Sequence, residues 1–526
     1  MGAIQVPVYG VKIISRLLRL DKWISLLAVL ALLPFDFLVF LSLWLSELFY
    51  LPIRFFTKRP VSSQKPNAER ASIIILNWDG RHLLEEFLPS VLKAVRYDGR
   101  DHEVIVVDNG SQDDSTRFLK ERYPQVKVVA LSRNLRFTGG NNAGVQAARN
   151  DIVIFLNNDM EVDSDFIAPL LRGFTEEAVF AVSCQVFFRD RTRRREETGK
   201  TRAAWRLGFV EPYHDQITES DRNRGTTPIF WGGGGSCAFD RKKFLEMGGL
   251  DTLYDPFYLE DTDLSYQAWK RGWTSLLASD SVVVHKHRGT NKMKFGDNYV
   301  DNTIRKNQYL FIWKNITDFR RILAHSLLLP FVQARLIWQT HWHFELKAFS
   351  RAFIQLPEAL AKRYRGRGFY VLSDSEIFDQ TSTIVPKTGE NAIDFTEQDF
   401  DGQLGTGWYQ RETGGAEGFR WMGRKASLFL FAKGHERVLE VRGAVPDIQS
   451  SHRRFLKLKI YQDKKLLFTK RWLRREKFQL CVPLRAATRS MFRFDFELNR
   501  SFSPASLGLG EDTRELGMIV SQIRLV

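Results

Sequence analysis

Apolar and polar positions divide this chain into stretches of different character. Residues 23–51 are almost wholly apolar, interrupted by Asp36, Glu47 and a few serines, and flanked by Lys12, Arg16, Arg19 and Lys22 and then by Arg54, Lys58 and Arg59. Such a run is long enough to meet a bilayer. It is too long for a signal peptide, and no small-residue cleavage site follows it. Basic residues on both flanks suit a simple crossing poorly, because Lys and Arg favour the cytoplasmic side. Pro34-Phe35-Asp36 predicts a break into two short helices that enter and leave by one face. Residues 1–60 are therefore expected to be a membrane anchor, re-entrant or single-span, with the rest of the chain at the cytoplasmic face of the inner membrane.

From residue 70 short apolar runs alternate with longer mixed ones. Residues 71–78 read as a strand ending at Asn77, followed by a helix over about 81–95. Residues 103–108 form a second strand ending in Asp108, then Asn109-Gly110-Ser111 and a helix through Arg122. A third short strand spans 127–131, and 133–144 is a glycine-rich loop leading into a helix. Residues 151–156 are apolar and mostly β-branched, too short for a normal helix, and stop at Asn157-Asn158-Asp159. This alternation predicts a mostly parallel sheet, and open α/β sheets bind ligands at the carboxyl ends of their strands. An isolated Asn-Asn-Asp is usually a turn. Paired with Asp108 on a second strand end, Asp159 faces a shared crevice, where one carboxylate suits a nucleoside and the other a divalent cation on its diphosphate.

An Arg-rich section (Arg189, Arg191, Arg193, Arg194, Arg195) leads to four consecutive glycines, 232–235, which leave room for a ligand against the backbone. Glu260, Asp261 and Asp263 crowd a helix start, a placement the helix dipole alone would favour. The strand 281–284 ends in His285, a potential metal-binding imidazole. Residues 305–367 read as helices rich in aromatic and basic side chains, suited either to packing on the preceding domain or to a membrane interface. After a polar linker over 372–391, short alternating segments near 426–432, 437–441, 455–461, 478–482 and 491–498 predict an antiparallel β-sandwich. Trp408, Tyr409 and Trp421 are expected to fill its core rather than to stack on sugars. Glu511-Asp512-Thr513 lacks a glycine-rich approach and is assigned no chemistry.

Composition narrows the partners. The 526 residues have room for two or three domains, and the net charge of +16 calls for an anionic partner. Three scattered cysteines form no metal cluster and suit a reducing compartment.

Six motifs in order, at 72–78, 106–111, 134–144, 155–162, 248–263 and 285–290, resemble a glycosyltransferase of family 2 with a GT-A fold, in its rhamnosyltransferase-like branch. The resemblance covers roughly residues 70–315 and implies inverting transfer of a sugar from a nucleotide-diphosphate donor to an acceptor hydroxyl. By position it implies Asp261 as general base with Glu260 orienting the acceptor. Donor contacts fall to Asn77, Asp108, Asn109, Asn134, Gly140, Asn141 and Asn158, and a divalent metal, Mg²⁺ or Mn²⁺, to Asp159 and His285. Asn157 replaces the first acid of a strict DXD pattern, which lowers the expected metal affinity and leaves strict dependence open. The expected fold class is α/β, a GT-A (Rossmann-like mixed sheet) domain over 70–304 with an N-terminal membrane segment, a helical section over 305–367 and a β-sandwich over 390–526. Expected partners are a nucleotide-sugar donor, a lipid-linked glycan acceptor of cell-surface polysaccharide synthesis and the membrane, with no nucleic acid. A sugar nucleotidyltransferase should carry a glycine-rich loop with Arg and Lys where Asn77-Trp78-Asp79-Gly80 stands. A non-enzymatic polysaccharide-binding scaffold would leave the acids at strand and helix ends unexplained.

Overall fold

The computed structural model describes residues 8–53, 61, 64–188, 199–215, 217, 221–222, 225–285, 295–339, 342–382, and 390–526 apart from 397–402, 406, 415–416, 433, 435, 447–454, 464, 486–490, 506–511 and 513. The Arg-rich section and the histidine-containing stretch after His285 lie outside these residues. Two compact units are present, 1–217 with 221–381, and 218–220 with 382–526.

The N-terminal apolar run is one continuous helix, α1 (Val8–Ile53). The break expected at Pro34 is absent, which removes the two-helix, re-entrant reading. A proline in an apolar helix forfeits one hydrogen bond while the rest of the ladder stays closed. Ala28, Leu32, Val39 and Leu43 form a buried stripe, and Trp23, Leu27, Leu30, Phe37, Leu48 and Phe49 are exposed. The stretch Trp23–Tyr50 is long and apolar enough to cross a membrane. Near the far end of α1, Glu47 accepts hydrogen bonds from Arg363 Nε (3.1 Å) and from Arg367, which fastens the helix to its own unit.

The central sheet is built from β1 (Ala71–Asn77), α2 (Arg81–Asp98), β2 (Glu103–Asp108), α3 (Ser115–Arg122), β3 (Lys127–Ala130), α4 (Arg136–Ala147), β4 (Ile152–Asn157), β5 (Met160–Val162), α5 (Ile167–Arg172), β6 (Val179–Phe188), the hairpin β7 (Thr201–Arg206) and β8 (Phe209–His214), β9 (Thr226–Pro228), β10 (Ser236–Asp240), α6 (Arg241–Glu246), α7 (Glu260–Lys270) and β11 (Thr274–His285). Its order is β3-β2-β1-β4-β10-β6-β11-β5, with β9 also on β11 and the β7–β8 hairpin apart. The first four strands are parallel. β10 runs against both of its neighbours and β5 against β11, so the sheet is mixed rather than mostly parallel. Alternation along β1 and β2 sends Ile73, Ile75 and Val106 to one core and Ile74, Ile105 and Val107 to the other, as a sheet covered on both faces requires. The strand order reverses between β1 and β4, the place where such sheets open a crevice.

Five helices follow: α8 (Asp297–Asn315), α9 (Phe319–Gln339), α10 (Trp342–Ile354), α11 (Leu356–Arg367) and α12 (Asp374–Ser382). α8 is buried over most of its length. α9 buries Ile322, His325, Leu329 and Ile337 on one side while Leu327, Phe331 and Trp338 stand exposed on the other. α12 replaces part of the expected polar linker. Its first residue, Asp374, is buried against Lys270 Nζ (2.5 Å) and the Asp318 N–H (2.6 Å), and Ile377 and Phe378 join the core.

The second unit holds β12 (Ala392–Asp394), β13 (Trp408–Gly414), β14 (Glu417–Met422), β15 (Lys425–Phe431), β16 (Val438–Val445), β17 (Leu456–Gln462), β18 (Lys465–Trp472), β19 (Glu476–Pro483), β20 (Met491–Leu498) and β21 (Met518–Leu525). They form two antiparallel sheets, β13-β14-β21-β16-β19 with β12 on β21, and β15-β20-β17-β18. Side chains from both sheets fill one core, the sandwich that the alternation predicts. Trp408 packs against Phe395 and Phe496 with its indole N–H on the Ser427 carbonyl (2.7 Å), a core role. Asp512 is taken up by an ion pair with Arg514 (2.6 Å).

Candidate active site

Asn77, the last residue of β1, is fully buried and ties three elements together. Its Nδ2 donates to Ser115 Oγ (3.0 Å) and, more weakly, to Asp108 Oδ1 (3.4 Å), while its Oδ1 accepts from Asn158 Nδ2 (2.9 Å). Thr116 Oγ1 donates to Asp108 Oδ2 (3.2 Å). The strand ends carrying Asp108, Asn77 and Asn158 thus form one hydrogen-bonded rim. Gly80 must be glycine here, because a Cβ would meet Asn158 Nδ2 at 2.5 Å and Asn77 Oδ1 at 2.6 Å.

Several residues expected to meet the donor are engaged with the protein instead. Asn109 Nδ2 donates to Asn134 Oδ1 (3.1 Å) and the Arg136 carbonyl (3.0 Å), and its Oδ1 accepts from the Leu135 N–H (2.8 Å). Asn134 Oδ1 also accepts from the Arg136 N–H (2.7 Å). These two side chains shape the 133–136 turn. Asn141 Nδ2 reaches back one turn to the Phe137 carbonyl (3.0 Å). The expected glycine-rich loop is already helical from Arg136, so Gly139 and Gly140 lie within α4. A Cβ on Gly140 would meet Leu76 Cδ1 at 2.4 Å, so this glycine serves close packing of α4 on β1 rather than approach to a phosphate.

Asp159 sits in the turn between β4 and β5, and His285 ends β11, opposite Met160 of β5. The pairing brings His285 Nε2 to 3.2 Å from Asp159 Oδ2. One carboxylate and one imidazole at this distance fit a Mg²⁺- or Mn²⁺-type ion that takes its remaining ligands from phosphate oxygens and water. Among the described residues no group of three or more His, Cys, Asp and Glu could hold a metal, and Asp159 with His285 is the pair on which the expected site rests.

The acids of α7 go to different places. Asp261 Oδ2 accepts from the Gly234 N–H (3.0 Å) and its Oδ1 from the Thr262 N–H (2.6 Å). Burial pushes its carboxyl up from the usual carboxylate range, and those hydrogen bonds pull it back in part. Burial, and then the charge of Asp261, push Glu260 well above its ordinary value, and among the described residues nothing hydrogen-bonds to its Oε2. Asp263 turns away, accepting from Tyr254 Oη (2.7 Å), Lys314 Nζ (2.6 Å) and Asn315 Nδ2 (2.7 Å). The glycine run binds the two halves of the site. Gly234 reaches Asp261, and the adjacent Gly235 accepts from the Asn157 N–H (2.9 Å) at the end of β4, where a Cβ would meet Asn157 Nδ2 at 2.5 Å. Asp108, Asp159 and Asp261 are therefore linked through Asn77, Asn158, Asn157 and the glycines along one edge of the sheet.

Three positioning contacts escaped the sequence reading. Asn142 holds both the N–H and the carbonyl of Leu250 (2.9 Å each), which draws the 248–259 loop onto α4, and Gly249 makes room for it. Asp255 accepts from Thr138 Oγ1 and from Arg136 Nη1 (3.2 Å). Asn307 Nδ2 lies 2.8 Å from the Tyr254 carbonyl, 3.0 Å from that of Phe257 and 2.8 Å from that of Tyr258. Just beyond this clamp, Tyr258 and Leu259 both have φ of 71°, a left-handed backbone that costs a non-glycine residue energy and leads straight into Glu260. An Asn after a predicted helix start gives no signal of such a reach.

Residues 72–247 match the Glycosyl transferase family 2 model. The chain is 26% identical over 197 residues to N-acetylgalactosaminyltransferase 6 of Drosophila melanogaster, covering 36% of this chain and 29% of that protein. It is also 26% identical over 235 residues to N-acetylglucosaminyl-diphospho-decaprenol L-rhamnosyltransferase of Mycobacterium tuberculosis, covering 39% and 72%. A solved structure of GalNAc-T7 with UDP, GalNAc and Mn²⁺ overlaps 69% of this chain and 70% of that one at 16% identity, with a TM-score of 0.42. The chain spans about a third of the length of the first curated relatives it matches. The chain thus carries, over residues 72–247, a domain that matches the family 2 glycosyltransferases, set in a mixed α/β sheet with an N-terminal apolar helix and C-terminal antiparallel sheets.

Proposed function

We propose that this family 2 domain moves a sugar from a nucleoside diphosphate to an acceptor hydroxyl with inversion, in the rhamnosyltransferase-like manner, on a lipid-linked glycan at the cytoplasmic face of the membrane. The observation that carries the reading is the hydrogen-bonded edge that links Asp108 and Asn158 to Asp261 through Gly234 and Gly235. It ties the two acids to one strand-end edge, which supports reading Asp108 as the nucleoside contact and Asp261 as the general base.

Asp108, steadied by Asn77 and Thr116, receives the nucleoside. Asp159 and His285 would hold a divalent cation, which would supply positive charge against the departing diphosphate. Asp261 takes the proton of the acceptor hydroxyl as that oxygen attacks the anomeric carbon opposite the diphosphate. A raised carboxyl is better matched to this task near neutral pH than an ordinary one, and such catalysis contributes roughly 10²- to 10⁴-fold. Glu260, whose proton burial and the neighbouring Asp261 charge hold more tightly than usual, stands beside the base and helps to orient the acceptor. Asn77 is tied to Ser115 and Asn158 at the place where a nucleotidyltransferase should carry Arg and Lys.

The lipid-linked acceptor is supported by α1 and by the apolar exposed face of α9, and the decaprenol-linked substrate in the mycobacterial relative's name points the same way. Membranes holding the full chain, offered a panel of nucleotide sugars with Mn²⁺ or Mg²⁺, should transfer one donor's sugar to endogenous lipid. Asp261→Asn should abolish transfer and leave donor binding. Transfer by none of the panel, or full turnover in Asp261→Asn, overturns the reading.

A further inference from the structure

Much of the net positive charge of this chain falls in one segment of the C-terminal unit. Residues 453–485 hold twelve Lys and Arg against two Asp and Glu, an excess of ten in a chain whose net charge is +16. In the C-terminal unit they form β17, β18 and β19. β18 is the edge strand of one sheet and β19 the edge strand of the other, and residues 473–475 turn between them. Leu456, Leu458, Ile460, Trp472, Phe478 and Leu480 supply the core. Lys465, Lys470, Arg471, Arg474, Arg475 and Lys477 are exposed, and none pairs with a carboxylate among the described residues. In the turn between the two strands, next to Arg471, Arg474 and Arg475 in the chain, Leu473 is 86% exposed, more than any other large apolar side chain described.

Lysines on an edge strand commonly guard it against pairing with another chain. One or two suffice for that, and a guard gains nothing from a bare leucine flanked by arginines. An apolar tip flanked by exposed cations matches the layered chemistry of an anionic bilayer surface, where the side chain enters the headgroup layer and the cations meet phosphates. We propose that the β18–β19 edge docks on anionic lipid headgroups, with Leu473 inserted and Lys470, Arg471, Arg474, Arg475 and Lys477 paired to lipid phosphate. The charge places this surface on the bilayer independently of α1, whose apolar contact does not depend on headgroup charge.

The test uses the full chain bearing Cys481→Ser and Leu473→Cys, labelled at 473 with an environment-sensitive fluorophore; Cys184 and Cys237 are buried and stay unlabelled. Vesicles are neutral phosphatidylcholine, or the same lipid with about a third phosphatidylglycerol. The expected result is a blue shift with a roughly threefold or larger rise in emission in anionic vesicles alone, suppressed by high salt. Arg474→Glu with Arg475→Glu, both at exposed positions, should remove it. Equal emission in the two lipids, or an undiminished response in the charge-reversed chain, overturns the proposal. So does an equal or larger response to soluble polygalacturonate with the protein in neutral vesicles, which would assign the edge to an anionic glycan.

Discussion

Asn307→Ala isolates the mechanical part of the site. The side-chain amide shares its two protons among the carbonyls of Tyr254, Phe257 and Tyr258 at 2.8, 3.0 and 2.8 Å. Leaving a buried acceptor without a donor costs about 1–3 kcal/mol, and with water entering part of the space the whole change should destabilise by about 2–4 kcal/mol. The two left-handed residues beyond the clamp store about 1–2 kcal/mol each, a similar sum. Removing the clamp therefore lets the loop relax, and Asp261, two residues further on, shifts with it. A displacement of about 1 Å at the base is worth about 10²-fold in rate, so kcat should fall about 10- to 100-fold while the donor KM stays within about twofold. Asn307→Asp keeps the volume but sets a carboxylate against three carbonyl oxygens, and its loss should exceed that of alanine. Initial rates with the donor found by the panel, run beside thermal unfolding, read both effects. Wild-type kcat in Asn307→Ala, or a milder defect in Asn307→Asp, would refute the clamp.

Asp159→Ala should weaken Mn²⁺ binding in the presence of a nucleoside diphosphate by about tenfold or more, read by Mn²⁺ titration in a paramagnetic resonance experiment. Undiminished affinity in that variant would put the ion elsewhere. Glu260 is raised in the folded chain, so the folded state holds its proton more tightly than the unfolded state does. That contribution is complete below the unfolded value and is lost as pH climbs through the folded one. Glu260→Gln should therefore lose less stability than wild type between about pH 5 and 8, measured by thermal unfolding across that range. Parallel pH profiles would mean that the carboxyl is not held neutral.

The strands and their polar ends were legible because both signals are local. Residues 103–108 match β2, and 491–498 match β20, since each is an apolar or alternating run closed by a turn. Asp108 and the Asn158-Asp159 turn lie at the ends of parallel strands, and Asp261 reaches the same edge from a helix start, through Gly234. What stayed hidden depends on partners far away in the chain. Asn109 and Asn134 look like donor ligands because polar residues after a strand often are, yet they fasten each other across 25 positions. The start of α4 was missed because Gly139 and Gly140 argue for a loop, and only the approach of Leu135 to the first and of Leu76 to the second gives a helix a reason to keep them. Pro34 argued for a break that α1 does not make, and Asp374 looked like linker until Lys270 stood beside it.

On the proposed assignment of Asp261 as the base, the acids of α7 let one short motif serve both catalysis and folding. Two residues along a helix turn the side chain by about 200°, so Asp261 and Asp263 must face opposite ways. Asp261 meets Gly234 at the crevice, and Asp263 meets Lys314, Tyr254 and Asn315 in the interior. Removing one partner of a buried ion pair costs about 3–5 kcal/mol, because the other charge is left without compensation. Asp263→Asn should therefore lower the melting temperature sharply and keep most of the rate when assayed well below it. Asp261→Asn should do the reverse. The raised Asp261 carboxyl makes its ionised form costly to the fold, so its neutral replacement should melt no lower than wild type while transfer falls by about 10²-fold or more. A chain that loses rate and stability together at both positions would mean that the two acids act as one structural unit, and the assignment of Asp261 as the base would fail.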